Sequence, residues 1–170
     1  MSSDAHSTPR FSTPVAAALS RAGWPFKGDR TRLLDRWFDD LRSDDLEPFP
    51  AAIAALEEFG GLDIRDHGPG ISSYRSPFRL VPTLVTGNGY FVLDAADALK
   101  APLYPLGDLD GGRHFLAISE SGRVYAILDI VRVLGETIDE GIAALIEGRM
   151  PAVDPAEARL AETLRARSIT

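Results

Sequence analysis

Residues 114–129 read HFLAISESGRVYAILD, and this stretch decides the fold class. Two runs of aliphatic, aromatic and β-branched residues, 114–119 and 123–129, flank Glu120-Ser121-Gly122. A polar turn with glycine where positive φ is useful, set between two such runs, predicts an antiparallel hairpin. Working upstream, Leu103 to Leu106 is a short apolar run before a turn at 107–112, rich in glycine and aspartate. Residues 78–85 read as a strand, and Pro82, which cannot donate to a ladder, assigns it to an edge or a bulge. Residues 68–77 carry Gly-Pro-Gly and Ser-Ser and read as a loop. Leu62, Ile64 and Asp66 alternate weakly with Asp63 and Arg65, as in a short strand. Downstream of the hairpin, 131–134 forms a last short strand ending at Gly135.

Helical periodicity brackets this sheet. Thr13-Pro14 reads as an N-cap followed by proline at the first helical position, with Val15, Leu19 and Ala22 on one face before Gly23-Trp24. A second helix over 31–42 aligns Leu34, Trp37, Phe38 and Leu41. A third starts at Pro50, buries Phe49, Ile53 and Leu56, and stops at Gly60-Gly61, the first glycine serving as left-handed cap. Residues 90–100 place Phe91, Ala95 and Leu99 at fourfold spacing. Thr137-x-x-Glu140 is a capping box that opens a helix with Ile138, Ile142 and Leu145 inward, closed by Gly148. Asp154-Pro155-x-Glu157 opens a thinner helix carrying Leu160 and Leu164. Helices, then antiparallel strands, then helices, without alternating βα units, define an α+β fold. The expected organisation is a loose tail over 1–10, one domain over 11–150, and a helical extension over 151–170.

The totals narrow the function. The 170 residues are 45% hydrophobic and 25% charged, values that support one globular core. The absence of cysteine excludes disulfides, thiolate metal sites and a cysteine nucleophile. The formal charge of −7 argues against nucleic-acid binding, which needs Lys and Arg to neutralise phosphates. The polar first ten residues lack the apolar run of a secretion signal, and no window reaches ~18 consecutive apolar residues. A cytoplasmic protein without membrane attachment is expected.

Catalytic and metal motifs fail on their spacing. His6, His67 and His114 are far apart, and Asp66-His67 reads as an exposed loop pair. Asp108-x-Asp110-Gly-Gly resembles the start of a calcium loop, but the fifth position is Gly112 and the twelfth is Ser119. Gly87-Asn88-Gly89 lacks the length and lysine of a phosphate-binding loop, and no Gly-x-Ser-x-Gly elbow is present. The reading is therefore a binding protein, not an enzyme, with no catalytic residues, metal, cofactor or small-molecule substrate. Trp24, Trp37, Phe38 and Phe59 fall on inward stripes or helix ends and are assigned to the core. The candidate contact residues are acidic. One group is Asp39, Asp40, Asp44 and Asp45, in a stretch that continues to Glu47; the alternative is Asp108 and Asp110 with Glu120. Either patch suits a basic partner through complementary potential.

Three further stretches, in this order, carry a family likeness. Ala22-Gly23-Trp24 precedes Gly28, Arg30 and the helix bearing Trp37; a helix then runs into Glu58-Phe59-Gly60-Gly61-Leu62. Leu103-Tyr104-Pro105-Leu106-Gly107 follows, with Leu116-Ala117-Ile118, Gly122-Arg123-Val124-Tyr125, Leu134-Gly135 and a closing helix. Together they resemble the SUKH superfamily of immunity proteins, and more narrowly its SUKH-3 branch, over most of residues 15–148. The connector Pro25-Phe26-Lys27-Gly28-Asp29-Arg30 is longer than the branch's compact proline–glycine–arginine link, and the residues after Gly148 lie outside the likeness. The resemblance implies helices packed on a curved, mostly antiparallel sheet. It also implies a protein encoded beside a polymorphic toxin, a nuclease or deaminase among others, which it binds tightly in the producer's cytoplasm; occlusion of a basic substrate cleft by a net-acidic partner is the expected mechanism. An adaptor module of the same fold with a non-toxin protein partner is the alternative.

Overall fold

The computed structural model describes residues 8–127 and 131–150, together with Ala166. The expected tail up to Ser7 and the expected helix with Leu160 and Leu164 lie outside the described residues. The elements run α1 (Thr13–Arg21), α2 (Thr31–Arg42), α3 (Pro50–Phe59), β1 (Asp63–Ile64), β2 (Gly68–Pro69), β3 (Tyr74–Arg75) and β4 (Phe78–Arg79). A 3-10 turn at Pro82–Val85 leads to α4 (Gly89–Leu99), β5 (Leu103–Leu109), β6 (His114–Ser119), β7 (Val124–Ile127), β8 (Val131–Gly135) and α5 (Ile138–Glu147). The main sheet is antiparallel in the order β1-β4-β5-β6-β7-β8, and β2 and β3 pair separately. This is the expected α+β architecture, with the 114–129 hairpin supplying β6 and β7.

The sheet is covered on both faces. Phe91 of α4 stacks on Phe115 at 5.7 Å between ring centroids. Gly141 of α5 abuts Val124, where an added Cβ would lie 3.0 Å from the valine Cβ. Val124 pairs across the ladder with Ile118, three residues from Phe115 on the same strand. Strand alternation therefore sends these contacts to opposite faces, with α4 on one and α5 on the other.

Local chemistry accounts for the helix ends. The Asp29 carboxylate accepts from the Thr31 backbone N–H (2.9 Å) and hydroxyl (2.6 Å), starting α2; these bonds hold its pKa below the usual carboxylate value. Thr137 caps α5 through Glu140 N–H, while the Glu140 carboxylate accepts from Glu136 N–H. Gly148 ends α5 at φ 64°.

At the N-terminal side, Trp24 stacks on Phe59 at 5.6 Å with planes 15° apart, and Phe11 meets both edge-on. The Arg10 guanidinium lies over these rings and bridges Glu58 (2.5 Å) and Asp139 (2.7 Å), which raises its pKa. Arg30 stacks on Phe26 and donates to the carbonyls of Glu57 and Gly60, closing the C-terminus of α3. Trp37, Phe38 and Phe59 are buried, and Trp24 packs against the core partly buried.

Five expectations are corrected. Residues 78–85 are not one strand: the ladder stops at Arg79, and Pro82 opens a 3-10 turn, whose first turn tolerates its missing N–H. The left-handed glycine after α3 is Gly61 (φ 90°), whereas Gly60 has φ −56° and its carbonyl accepts from Arg30. Gly107, Asp108 and Leu109 belong to β5; only residues from Asp110 onward turn, with Asp110, Gly111 and Gly112 at positive φ. Gly107 permits this, since a Cβ there would fall 1.8 Å from the Arg79 carbonyl oxygen. Lastly, Ser12 rather than Thr13 is the N-cap of α1, and the loop at 68–77 contains the β2–β3 pair.

Candidate functional site

Among the described residues, no group of three or more His, Asp or Glu side chains is placed to hold a metal. No described helix is long and apolar enough to cross a membrane. The acidic residues divide sharply by environment.

The stretch 39–47 forms an exposed corner between α2 and α3. Asp39 and Glu47 side chains are 70% and 72% exposed, and Arg42 pairs with both. Asp40 and Asp45 are exposed and make no ion pair among the described residues. Asp45 sits at φ 59°, a left-handed conformation that aspartate tolerates better than most residues. Asp44 is partly buried against Gly89, where α4 begins. Its Oδ2 is enclosed there without a hydrogen-bond partner among the described residues. Beneath the corner the wholly buried Tyr104 has its phenol pKa raised by burial, with Arg42 acting in the opposite sense.

The second group does not assemble. Asp108 is 4% exposed and accepts two bonds from Arg79, at 2.6 and 3.2 Å, across the β4–β5 pairing. The bonds raise the Arg79 pKa and complete the sheet. Asp110 lies in the following turn, tied to the Pro77 carbonyl and near Arg113. Glu120 is exposed in the β6–β7 turn. β6 separates these two turns by its whole length, about 17 Å at ~3.4 Å per residue.

A feature that the acidic residues do not mark lies on the α5 face of the sheet. Leu109 and His114 pair across β5–β6, and Ala126 and Arg132 across β7–β8; with Leu134 they form the floor of a groove. Ala144, Leu145 and Gly148 of the α5 end form one wall, and Ser73, Tyr74 and Ser76 the other. The groove holds about 160 Å³ and opens into a shallower concavity of about 350 Å³. The two share Leu134, Ala144, Arg149 and Met150. The β2–β3 wall is fastened to α5: Ile71 N–H donates to Glu147 O, Ser72 and Ser73 N–H to Gly148 O, and Met150 N–H to Ser72 Oγ, each at 2.9 Å. Gly70 and Gly148 allow this approach, since a Cβ on Gly148 would lie 2.8 Å from the Gly70 Cα. Of the lining residues Tyr74 and Met150 are 63% and 57% exposed, and Ile71, on the loop fastened to α5, is 61% exposed. Sequence reasoning passed over these residues; the one local signal was an aromatic, Tyr74, inside a glycine- and serine-rich loop.

Leu134 in the groove floor and α5 in its wall belong to the family likeness, but most of the residues that carry it are placed elsewhere. Trp24, Arg30, Trp37, Phe59 and Gly60 meet where α1, α2 and α3 join, and Gly107 seats β5 against β4. A model of the SUKH-3 immunity protein family matches residues 11–148. No curated protein and no solved structure matches the chain.

Proposed function

The chain belongs to the SUKH-3 immunity protein family, and on that premise we propose that it binds and neutralises one cognate bacterial toxin in the cytoplasm of the cell that makes it. The observation that carries this reading is the family match over residues 11–148, which spans the whole described sheet and every described helix. The proposed mode of action is occlusion without chemistry. A nuclease or deaminase toxin presents a basic substrate cleft, and a partner of net charge −7 meets it with complementary potential. Within the acidic corner, Asp40 and Asp45 are the proposed leading contacts, flanked by Asp39 and Asp44. Asp110 is the proposed contact at the far turn. Asp108, enclosed with Arg79, acts through the turn's geometry, and Glu120 stands as a separate site. An interface of ordinary size would bury roughly 1,600 Å² in total.

Co-expression of this chain with the product of the neighbouring reading frame, scored by cell survival and co-purification, is the test. Survival with a stable 1:1 complex is expected. A neighbour that kills despite the chain, or that is harmless and does not bind, would overturn the immunity reading and favour the adaptor alternative.

A further inference from the structure

We infer that the groove between the end of α5 and the β2–β3 hairpin is the anchor site for the toxin, taking one apolar side chain that is flanked by a carboxylate. The inference rests on the immunity reading and places the long-lived contact away from the acidic corner.

Three independent features meet at the groove. Of six large apolar side chains exposed among the described residues, two (Tyr74 and Met150) line this one opening, and a third, Ile71, lies on the loop fastened to α5. Their convergence from two distant segments is enforced by backbone hydrogen bonds between Ile71–Ser73 and Glu147–Gly148, so the patch is preformed. Preformed sites lose little conformational freedom on binding.

The groove has room for one side chain before it widens into the shallower concavity. About 160 Å³ is close to the roughly 150 Å³ of a cavity that accepts a benzene ring, which is room for one phenylalanine or leucine side chain.

Charge selects its neighbour. Arg132 stands exposed on the floor strand and makes no ion pair among the described residues, whereas Arg149 beside it is already held by Glu147 at 2.9 Å. A guanidinium without an ion partner among the described residues, lining a groove of mixed polar and apolar side chains on a chain of net charge −7, is a local positive point. It fits an approaching carboxylate, which it can bind in bidentate fashion. Tyrosine, methionine and arginine around a concave centre are also the residue types enriched where protein interfaces concentrate their energy.

The test measures dissociation of the full chain from the purified product of the neighbouring reading frame, with Tyr74→Ala and Arg132→Glu as variants. Both side chains are exposed, so thermal midpoints within about 2 °C of wild type are expected and verify folding. Tyr74→Ala is expected to raise the dissociation rate about 30-fold and Arg132→Glu about 10-fold, with association rates nearly unchanged. Wild-type dissociation in both variants, from a wild-type chain that binds and protects, would overturn the groove assignment and leave the immunity reading standing. A wild-type chain that neither binds nor protects would overturn both. A wild-type chain that is dimeric by light scattering, and monomeric as Tyr74→Ala, would overturn the assignment by showing that the groove seats a second copy.

Discussion

The junction of α1, α2 and α3 and the groove beside α5 are built on opposite principles. At the junction, aromatic faces are stacked, helix ends are closed by Arg30, and Arg10 ties the start of α1 to α3 and α5. At the groove, apolar side chains face solvent and one guanidinium lacks an ion partner among the described residues. The aromatic and glycine residues of the likeness from α1 to α3 gather at the first; at the second only Leu134 and α5 belong to the likeness, and the exposed Tyr74, Arg132 and Met150 do not. The difference teaches that the signature of this fold is a packing signature. A side chain enclosed in a helix junction is not available to a partner, so recognition must use other residues. One scaffold can then serve different toxins by changing its surface alone.

The sharpest way to break this comparison is at Trp37, 8% exposed with its ring against Gly60. Trp37→Ala is expected to destabilise the protein by ~3–5 kcal/mol through lost burial and a residual cavity. Urea unfolding followed by circular dichroism measures it. A midpoint equal to wild type would mean that the signature residues do not carry the fold, and the division between scaffold and surface would fail.

A smaller effect is expected where the two principles meet, at Arg79 and Asp108. These are acidic and basic residues by composition, yet Asp108 is enclosed in the sheet. Arg79→Met leaves that carboxylate without its bidentate donor and is expected to cost about 2–3 kcal/mol. The Arg79 side chain is 45% exposed, so the full cost of a wholly buried pair is not reached. If the variant melts as wild type but loses toxin binding, Asp108 and Arg79 belong with the partner surface and not with the scaffold.

The sequence was readable wherever the cause was local. Thr137-x-x-Glu140 predicts the start of α5, Pro50 that of α3, and the 114–129 pattern its hairpin, because capping, proline and alternation act within a few residues. Reading failed where the cause lay across the chain. At Gly107, inside β5, a Cβ would meet the Arg79 carbonyl, 28 residues away, and Gly60, which is not left-handed, lies against Trp37 with its carbonyl reached by Arg30. The acidic corner was legible as a run of carboxylates, but its sharing with Arg42 and α4 was not. The groove was illegible altogether: Tyr74, Arg132 and Met150 come from three segments that only the fold brings together.

The least perturbing change to the fold separates the corner from the groove. Asp40→Asn with Asp45→Asn removes the two carboxylates that make no ion pair among the described residues. Asparagine is the right choice at Asp45, because φ 59° would strain a lysine and confuse a charge effect with a backbone effect. Stability should change by less than about 0.5 kcal/mol, since neither side chain is enclosed. The expected consequence is kinetic. Association with the toxin should slow about 3–10-fold at low salt, and the salt dependence should flatten. The difference from wild type should vanish near 1 M salt, where the Debye length is about 3 Å. Dissociation should be unchanged, in contrast to Tyr74→Ala. A faster dissociation rate in the asparagine variant would instead make the corner a closed contact, and a groove variant with unchanged dissociation beside it would reverse the roles of the two surfaces.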